Sequence, residues 1–329
     1  MTDTDSTGRE PARVAIACQG GGSHTAFTAG VLKGLLPELE PDYELVGLSG
    51  TSGGAVSAFA AWNGLCTGGP DAARERLEAV WADIAARSPF EAAANAWLQW
   101  ETRLRAQGAP LPEVSPYDLP SAAIGQRQLR RVIERNIEVN RCRRLLERED
   151  TPELVVGAVD VNSGRFETFV DGEITADAVL ASAAIPTLFR AVEIDGHYHW
   201  DGLFSQNPPV RDLMRDQHPD ELWVIQINPQ TRAGEPRTVE EIADRRNELA
   251  GNISLNQELR FVEQVNEWIE DGYLPEERFV HTDIRRISLG ERLGYPSKLD
   301  RSPAFLDRLI ERGEREARAF LDSLLDPSN

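Results

Sequence analysis

Ser52 is the side chain whose setting best fits a nucleophile in this chain of 329 residues. It is the centre of Gly50-Thr51-Ser52-Gly53-Gly54, which follows an apolar run at residues 45–48 and precedes a small-residue stretch with helical spacing. A Gly-x-Ser-x-Gly turn between a strand and a helix is typical of a nucleophile elbow. Because Gly50 and Gly54 lack a Cβ atom, the chain can close tightly there. An ordinary glycine turn that begins a helix is the alternative, and the flanking elements favour the catalytic interpretation.

A second glycine-rich turn, Gly20-Gly21-Gly22, follows a predicted strand at residues 13–19 and precedes a predicted helix. Such a turn could bind a dinucleotide, but Thr25 replaces the third glycine of that pattern and no phosphate-binding lysine follows. Alternatively, its N–H groups could form an oxyanion hole, which stabilises a carbonyl oxygen as it becomes negative. The serine turn further along the chain favours the oxyanion hole.

A serine nucleophile needs a base, and the chain offers histidine and aspartate candidates. Four histidines follow Ser52: His197, His199, His218 and His281. None lies in a loop with a recognisable catalytic pattern, so a structural or surface role is the simpler interpretation of each. Asp201 ends a predicted strand and is followed by Gly202 and an irregular Asn-Pro-Pro loop, where an α/β sheet presents its functional groups. Asp201 is therefore the stronger candidate, although an isolated Asp-Gly pair would indicate only a turn.

Predicted strands alternate with predicted helices, which indicates an α/β fold with a doubly wound, mostly parallel sheet and flanking helices. The strands are expected at residues 13–19, 45–48, 153–161, 165–170, 193–194, 197–200, 221–228 and within 279–289. Helices are expected between them, including one over residues 238–270 in which Gly251-Asn252 is a candidate break. Asp201 would then lie at the carboxyl edge of the sheet.

A single domain is predicted over residues 13–329, because no long linker rich in Pro, Gly or Ser divides the chain. Residues 1–12 are predicted to form a disordered tail. A helical insertion is expected over residues 70–150 and a C-terminal helical extension over residues 238–329. The insertion would roof the site and set its substrate. Its aromatic stripes, with Trp97 and Trp100 in one helix, are interpreted as packing faces.

The charge of the chain limits its partners. Acidic residues outnumber basic ones by 54 to 35, which gives a formal charge of −19. Nucleic acid is therefore an unsuitable partner, because phosphates bind positive surfaces. The only lysines are Lys33 and Lys298, and an acidic, lysine-poor surface favours a halophilic source, where salt screens self-repulsion. GC-rich codon usage is the alternative, and it explains the lysine deficit better than the acidic excess.

The remaining composition favours a cytoplasmic protein. Cys18, Cys66 and Cys142 are too few and too scattered for a disulfide framework or a zinc site. No stretch approaches the roughly 18 apolar residues that a membrane span needs. The N-terminus has neither the basic start nor the apolar core of a signal peptide. We therefore expect a cytoplasmic protein, either free or peripheral on a membrane or storage granule.

Five motifs, in their order along the chain, resemble those of the patatin-like phospholipase family over residues 14–227. They are Gly20-Gly21-Gly22, Ala29-Gly30-Val31-Leu32, Gly50-Thr51-Ser52-Gly53-Gly54, Ala181-Ser182-Ala183-Ala184-Ile185-Pro186, and Asp201-Gly202 with Asn207-Pro208. Each motif is weak alone, whereas the ordered set is specific. Two positions depart from the family pattern: His24 replaces an arginine after the glycine loop, and Leu203 follows the Asp-Gly pair. The first departure concerns the anchoring of the loop, and the second leaves Asp201 in place.

The resemblance implies a serine hydrolase with a Ser–Asp dyad, no histidine and a patatin-like α/β fold. Ser52 would be the nucleophile and Asp201 the proton acceptor. Gly21 and Gly22 would form the oxyanion hole, with a contribution from Gly53. Four further glycines would shape the motifs: Gly20, Gly50, Gly54 and Gly202. The resemblance implies no metal and no organic cofactor.

The family implies hydrophobic carboxyl esters as substrates, which are phospholipids, lysophospholipids or acylglycerols. Some of its haloarchaeal relatives depolymerise polyhydroxyalkanoate storage granules, and the acidic composition makes that polyester a second candidate. A non-catalytic lipid- or granule-binding protein and an α/β-hydrolase that uses histidine are alternatives from other classes. The oligomeric state does not follow from any of these features.

Overall fold

The structure is a computed structural model that describes residues 10–112, 114–139, 141–142 and 151–325. Residues 1–9 of the predicted tail and residues 143–150 of the predicted insertion lie outside the described residues. The strands are β1 (Ala12–Cys18), β2 (Tyr43–Gly50), β3 (Glu153–Asp160), β4 (Phe166–Val170), β5 (Val192–Ile194), β6 (His197–Asp201), β7 (Glu221–Gln226) and β8 (Asp283–Ser288). The helices are α1 (Ala26–Leu35), α2 (Gly53–Ile84), α3 (Pro89–Ala106), α4 (Pro120–Asn136), α5 (Ala176–Ser182), α6 (Val210–Met214), α7 (Val239–Glu270) and α8 (Pro303–Leu325).

The described strands form one mixed sheet of eight strands in the order β5-β6-β3-β2-β1-β7-β8, with β4 paired to β3. The pairs among β3, β2, β1, β7 and β8 are parallel. The pairs β3–β4, β3–β6 and β5–β6 are antiparallel. The predicted α/β class with flanking helices is confirmed. Antiparallel strands enter because short turns join β3 to β4 and β5 to β6, and antiparallel strands need no long crossover.

Helices cover both faces because the central strands are apolar on both sides. Along β1, Val14, Ile16 and Cys18 belong to one core, whereas Ala15 and Ala17 belong to the other. The first face is covered by α1, the first part of α2 and α8. The second face is covered mainly by α7, through Leu255, Leu259 and Val262. The C-terminal region predicted as a helical extension thus contributes α7, β8 and α8 to the body of the fold, and the predicted domain limits stay a prediction.

Two long helices contain residues that can break a helix. α2 bends at Gly69, where φ is +79°, because the ring of Pro70 cannot continue the helix that precedes it. By contrast, α7 passes through Gly251-Asn252 without a break, so the predicted break is wrong. A Cβ atom at residue 251 would lie 2.5 Å from the Asn228 side chain. The glycine there reflects a close approach of the chain, not a helix end.

The interpretation of the aromatic stripe in α3 as a packing face is wrong. Trp97 is 64% exposed and Trp100 is 50% exposed. The buried residues of this helix are Asn95, Thr102 and Ala106. Within the described part of the chain, no helix combines the length and the apolar character that crossing a membrane requires.

Candidate active site

Two strands that end against the same edge of β3 bring the candidate catalytic residues together. β4 occupies one edge of β3. On the other edge, β2 pairs in parallel as far as Val156, and β6 pairs antiparallel from Ala158 onwards. The carboxyl ends of β2 and β6 therefore meet. Ser52 lies just beyond the end of β2, and Asp201 is the last residue of β6.

The backbone of Ser52 is held in a conformation that residues other than glycine rarely adopt, with φ of +56° and ψ of −129°. Ser52 is the N-cap of α2, yet its side chain makes no capping hydrogen bond. Gly54 permits the tight turn, because a Cβ atom there would lie 2.4 Å from the carbonyl oxygen of Cys18. Strain of this kind costs about 1–3 kcal/mol and persists only where the surrounding structure enforces it. The turn therefore directs a hydroxyl that is not used for capping towards the site.

The end of α5 ties this turn to β6. Ser182 Oγ accepts a hydrogen bond of 3.0 Å from the N–H of Ser52. The carbonyl oxygen of Ala184 accepts one of 3.1 Å from the N–H of Asp201. Both acceptors belong to the Ala-Ser-Ala-Ala-Ile-Pro motif of the sequence. That motif therefore fixes the backbone of Ser52 relative to the backbone of Asp201.

Asp201 is a buried carboxyl group with one fixed and one uncommitted oxygen. It is 1% exposed, and its Oδ1 accepts a hydrogen bond of 2.8 Å from the N–H of Leu203. Its Oδ2 has no hydrogen bond of normal geometry to any described residue. Burial raises the pKa of Asp201 to about 7, against the lowering effects of the Leu203 N–H, the nearby Ser52 hydroxyl and the Lys298 ammonium. A carboxyl group with this pKa can accept and release a proton near neutral pH.

Amide side chains anchor the glycine loop. Asn207 Oδ1 accepts a hydrogen bond of 2.7 Å from the N–H of Gly20, and Asn207 Nδ2 donates to the carbonyl oxygen of Gly251 at 3.1 Å. Gln19 Nε2 donates to the same carbonyl oxygen at 3.0 Å. Since Gly251 lies in α7, the loop is fixed to that helix as well as to the segment that follows β6.

The glycine loop lies beside the serine turn, since a Cβ atom at Gly20 would lie 3.0 Å from the Ser52 Cβ atom. Gly22 has φ of +60°, and the Gly53 Cα lies so close to Gly22 that a Cβ atom there would be 2.8 Å from the Gly22 carbonyl oxygen. Among the described residues, the N–H groups of Gly21, Gly22 and Gly53 have no hydrogen-bond partner, as is normal for the first N–H groups of helical turns. Unpaired N–H groups of this kind are what an oxyanion hole requires.

The residue two positions after the glycine loop is a buried histidine. His24 is buried, and its Nε2 lies 2.8 Å from Ser297 Oγ. Burial, together with the charges of Lys298 and Arg308, lowers the pKa of His24 well below its usual value. A cation is nevertheless present, because Lys298 Nζ donates to Asn228 Oδ1 at 2.8 Å and lies near Asp201. Burial lowers the pKa of Lys298 to about 8.

Sequence reasoning did not assign three residues that support this site. Lys298 could have been singled out, because it is one of only two lysines in the chain. Ser182 lies in a motif that was noted without a role for its hydroxyl. Gln19 had no signal, because a glutamine at a strand end is common and its partners lie more than 200 positions away.

The recorded contacts of the histidines involve neither Ser52 nor Asp201. In the part of the chain that the structure describes, none of the five hydrogen-bonds to Ser52 or Asp201. Their neighbours are Ser297 for His24, Asp160 for His197, Phe169 for His199 and Glu270 for His281. Over the same described residues, no group of three or more His, Cys, Asp or Glu side chains could hold a metal ion.

Comparison with protein families gives one match across the site. A family model described as patatin-like phospholipase matches residues 16–214. This range contains the glycine loop, the serine turn, Ser182 and Asp201. No curated protein matches the sequence.

Solved structures resemble the chain at low sequence identity. The human GIVD cytosolic phospholipase A2, in complex with methyl gamma-linolenyl fluorophosphonate, is 12% identical with a TM-score of 0.53, and the match covers 96% of this chain and 58% of that chain. VipD from Legionella pneumophila is 15% identical with a TM-score of 0.46, and the match covers 96% and 67% of the two chains. ExoU, in its complex with SpcU from the type III secretion system of Pseudomonas aeruginosa, is 11% identical with a TM-score of 0.37 and coverages of 95% and 52%. The chain thus spans little more than half the length of the human phospholipase, and that likeness concerns the fold.

The buried carboxyl of Asp201 should make stability depend on pH in a specific direction. In an unfolded chain an aspartate titrates near about 3.9, whereas in the folded protein the pKa of Asp201 is about 7. Between these values the folded state binds more protons, so the contribution of this group to the free energy of unfolding falls as the pH rises. We expect Asp201→Asn to unfold at a higher urea concentration than the wild type at pH 8, with the gap closing towards pH 5.

Asp195→Asn is the matched control for that measurement, because it changes an exposed aspartate on the β5–β6 hairpin. This control should follow the wild type at every pH. If the difference in unfolding urea concentration between Asp201→Asn and the wild type does not change with pH, the folded structure does not destabilise the Asp201 carboxylate.

Proposed function

The chain belongs to the patatin-like phospholipase family, and on that premise we propose that it hydrolyses carboxyl esters of lipids through a Ser52–Asp201 dyad. The observation that carries the proposal is the buried Asp201 carboxyl, with a pKa of about 7, beside the hydroxyl of Ser52. A base with a pKa near the working pH combines a large deprotonated fraction with a useful proton affinity. Asp201 can therefore take the role that histidine has in other serine hydrolases.

The first half of the reaction forms an acyl-enzyme. Ser52 Oγ attacks the ester carbonyl carbon, and its proton passes to Asp201 Oδ2. The carbonyl oxygen becomes negative and is bound by the N–H groups of Gly21 and Gly22, with Gly53 contributing. A donor of this kind is worth about 3–4 kcal/mol in the transition state. The alcohol then leaves with the proton that Asp201 held, and the acyl group stays on Ser52.

The second half releases the acid. A water molecule attacks the acyl carbonyl carbon while Asp201 accepts its proton, and the same N–H groups bind the oxyanion again. When the Ser52–acyl bond breaks, the proton returns to Ser52 Oγ and the carboxylic acid departs. Lys298 lowers the pKa of Asp201 through its positive charge and so keeps part of the carboxyl population ionised. No step of this scheme passes through a metal or an organic cofactor.

Polyhydroxyalkanoate is a second candidate substrate. The observation that favours it is the composition of the chain, with a formal charge of −19 and only two lysines, which fits a halophilic source. The polyester contains the same carboxyl ester bond as a lipid, so the dyad would act in the same way. Release of acid from amorphous polyester granules, but not from a phospholipid dispersion, would identify the polyester and not the lipid as the substrate.

Replacing either member of the dyad should abolish ester hydrolysis. Against a short chromogenic acyl ester, we expect Ser52→Ala to lower kcat by about 10⁴-fold or more. The other hydroxyl of the turn, that of Thr51, cannot take over, because it donates a hydrogen bond of 2.7 Å to the carbonyl oxygen of Gln206. Asp201→Asn removes the base and should lower kcat by about 10²–10⁴-fold. Asp195→Asn, on the same hairpin, should keep the wild-type rate. Activity of Ser52→Ala equal to the wild type would refute the dyad, and hydrolysis of no ester by the wild type would favour a non-catalytic lipid-binding protein.

The pH dependence of the reaction should report the pKa of Asp201. Since the base must be ionised in the free enzyme, kcat/KM should rise with pH and level off above a midpoint near 7. Lys298→Met removes a positive charge that lowers the pKa of Asp201, so its midpoint should move to higher pH. Lys298→Arg retains the charge and serves as the control. A midpoint near pH 4, the usual range of an exposed carboxyl, would contradict the assignment of Asp201 as the base.

A further inference from the structure

The apolar side chains of α3 lie on the side of the helix that faces away from the body. The helix is attached through its three buried residues: Asn95, Thr102 and Ala106. With 3.6 residues per turn, Phe90, Trp97 and Trp100 fall on the opposite side. All three are exposed, Phe90 by 83%. This is the reverse of an ordinary surface helix, which turns its apolar stripe towards the core.

The first half of α7 shows the same reversal. Its buried residues there are mostly polar, and they include Asp244, Glu248 and Asn252. Its exposed apolar residues recur at helical spacing, and they are Val239, Ile242, Leu249 and Ile253. The second half of α7 packs normally through Leu255, Leu259 and Val262. The reversal is therefore local to the part of α7 that lies near the site.

One inward polar residue of each helix bonds to the same segment of the chain. Asn95 Oδ1 accepts a hydrogen bond of 2.9 Å from the N–H of Arg301, and Asp244 Oδ1 accepts one of 2.9 Å from the N–H of Tyr295. This segment closes on the glycine loop, since a Cβ atom at Gly22 would lie 2.4 Å from the carbonyl oxygen of Lys298. Both helices thus hold the same border of the candidate active site, and both leave apolar side chains outside.

The C-terminal end of α3 lies next to the N-terminal end of α7. Gly108, just after α3, is close enough to Val239 that a Cβ atom there would lie 3.7 Å from a Val239 methyl group. We call the combined surface the outer apolar face, and it consists of Phe90, Trp97, Trp100, Val239, Ile242, Leu249 and Ile253. Exposed apolar surfaces of this kind mark interaction sites.

We propose that the outer apolar face binds the surface of a lipid assembly without net charge, such as a phosphatidylcholine bilayer. This inference rests on the proposed function, because it supplies the surface from which that site would draw its ester. The face lies on the outer side of the two helices whose inner sides hold the segment that closes on Gly22. A bound lipid surface would therefore lie about 10 Å, one helix diameter, from that segment. Docking there would raise the concentration of lipid ester near the candidate site.

The negative charge of the chain favours a lipid surface without net charge over an anionic membrane. The chain has a formal charge of −19, which repels a negative lipid surface. The α3 segment itself carries two glutamates and two arginines, so it adds no net charge to the contact. Apolar burial, not electrostatic attraction, would therefore supply the binding free energy.

The two tryptophans suit a boundary between lipid and water. The rings of Trp97 and Trp100 touch, with centroids 5.0 Å apart. Neither indole N–H has a hydrogen-bond partner among the described residues. Such a ring can bury its apolar body in lipid while its N–H bonds to the polar head-group layer.

Sedimentation with phosphatidylcholine vesicles tests the proposal. All proteins carry Ser52→Ala so that the lipid is not consumed. We expect the double variant Trp97→Gln/Trp100→Gln, and separately Ile242→Gln/Leu249→Gln, to raise the apparent Kd for vesicles by about tenfold or more. Phe166→Gln is the control, because it removes a ring that is 58% exposed on β4. Circular dichroism and the thermal midpoint establish that each variant is folded.

The same substitutions in the chain with Ser52 intact separate docking from catalysis. The ratio of activity on vesicles to activity on a soluble short-chain ester should fall about tenfold for both double variants and stay constant for Phe166→Gln. Vesicle binding that neither double variant weakens would overturn the docking proposal, even if ester hydrolysis is found. Vesicle binding through this face without hydrolysis of any ester would support the docking proposal and refute the proposed function. A dimer that both double variants convert to a monomer, with no vesicle binding, would assign the face to a second copy of the chain and overturn the proposal.

Discussion

The single free edge of β3 is the constraint on which the site depends. β4 takes one edge, so β2 and β6 must share the other, and they approach it from opposite directions. Their carboxyl ends therefore meet. Ser52 and Asp201, the residues at those ends, become neighbours although 148 residues lie between them in the sequence. The end of α5 then fixes both backbones through Ser182 Oγ and the carbonyl oxygen of Ala184.

This arrangement affects the carboxyl group of Asp201, the glycine loop and the first half of α7. Asp201 meets Ser52 where it is buried away from water. This burial raises the pKa of the Asp201 carboxyl group. The glycine loop needs fixed partners as well, and Gln19 and Asn207 supply them through the carbonyl oxygen of Gly251. The first half of α7 thus turns polar groups inward and leaves apolar groups in solvent. The position of α7 therefore both anchors the glycine loop and leaves apolar side chains of that helix exposed.

Much of the fold follows from local sequence patterns, because buried strands such as β1 and β7 are short apolar runs between turns. The serine turn was also visible in sequence, since its glycines and flanking elements form a local pattern. Lys298 and Gln19 could not be found in this way, because their roles depend on contacts between distant segments. The prediction that Trp97 and Trp100 pack against the core was wrong for a related reason. Their spacing predicts an amphipathic helix, but only the tertiary structure decides which side of the helix faces the core. Gly251 similarly looked like a helix break, and the close approach of Asn228 explains it instead.

The central claim is that Ser52 is activated by Asp201 without histidine, and covalent labelling tests it most directly. A fluorophosphonate reacts with an activated serine, and peptide mass spectrometry locates the adduct. We expect the adduct on Ser52, a much slower reaction in Asp201→Asn, and a rate close to that of the wild type when exposed His197, His218 or His281 is replaced by alanine. An adduct on another residue, or labelling that a single histidine substitution abolishes while Asp201→Asn reacts normally, would contradict the claim.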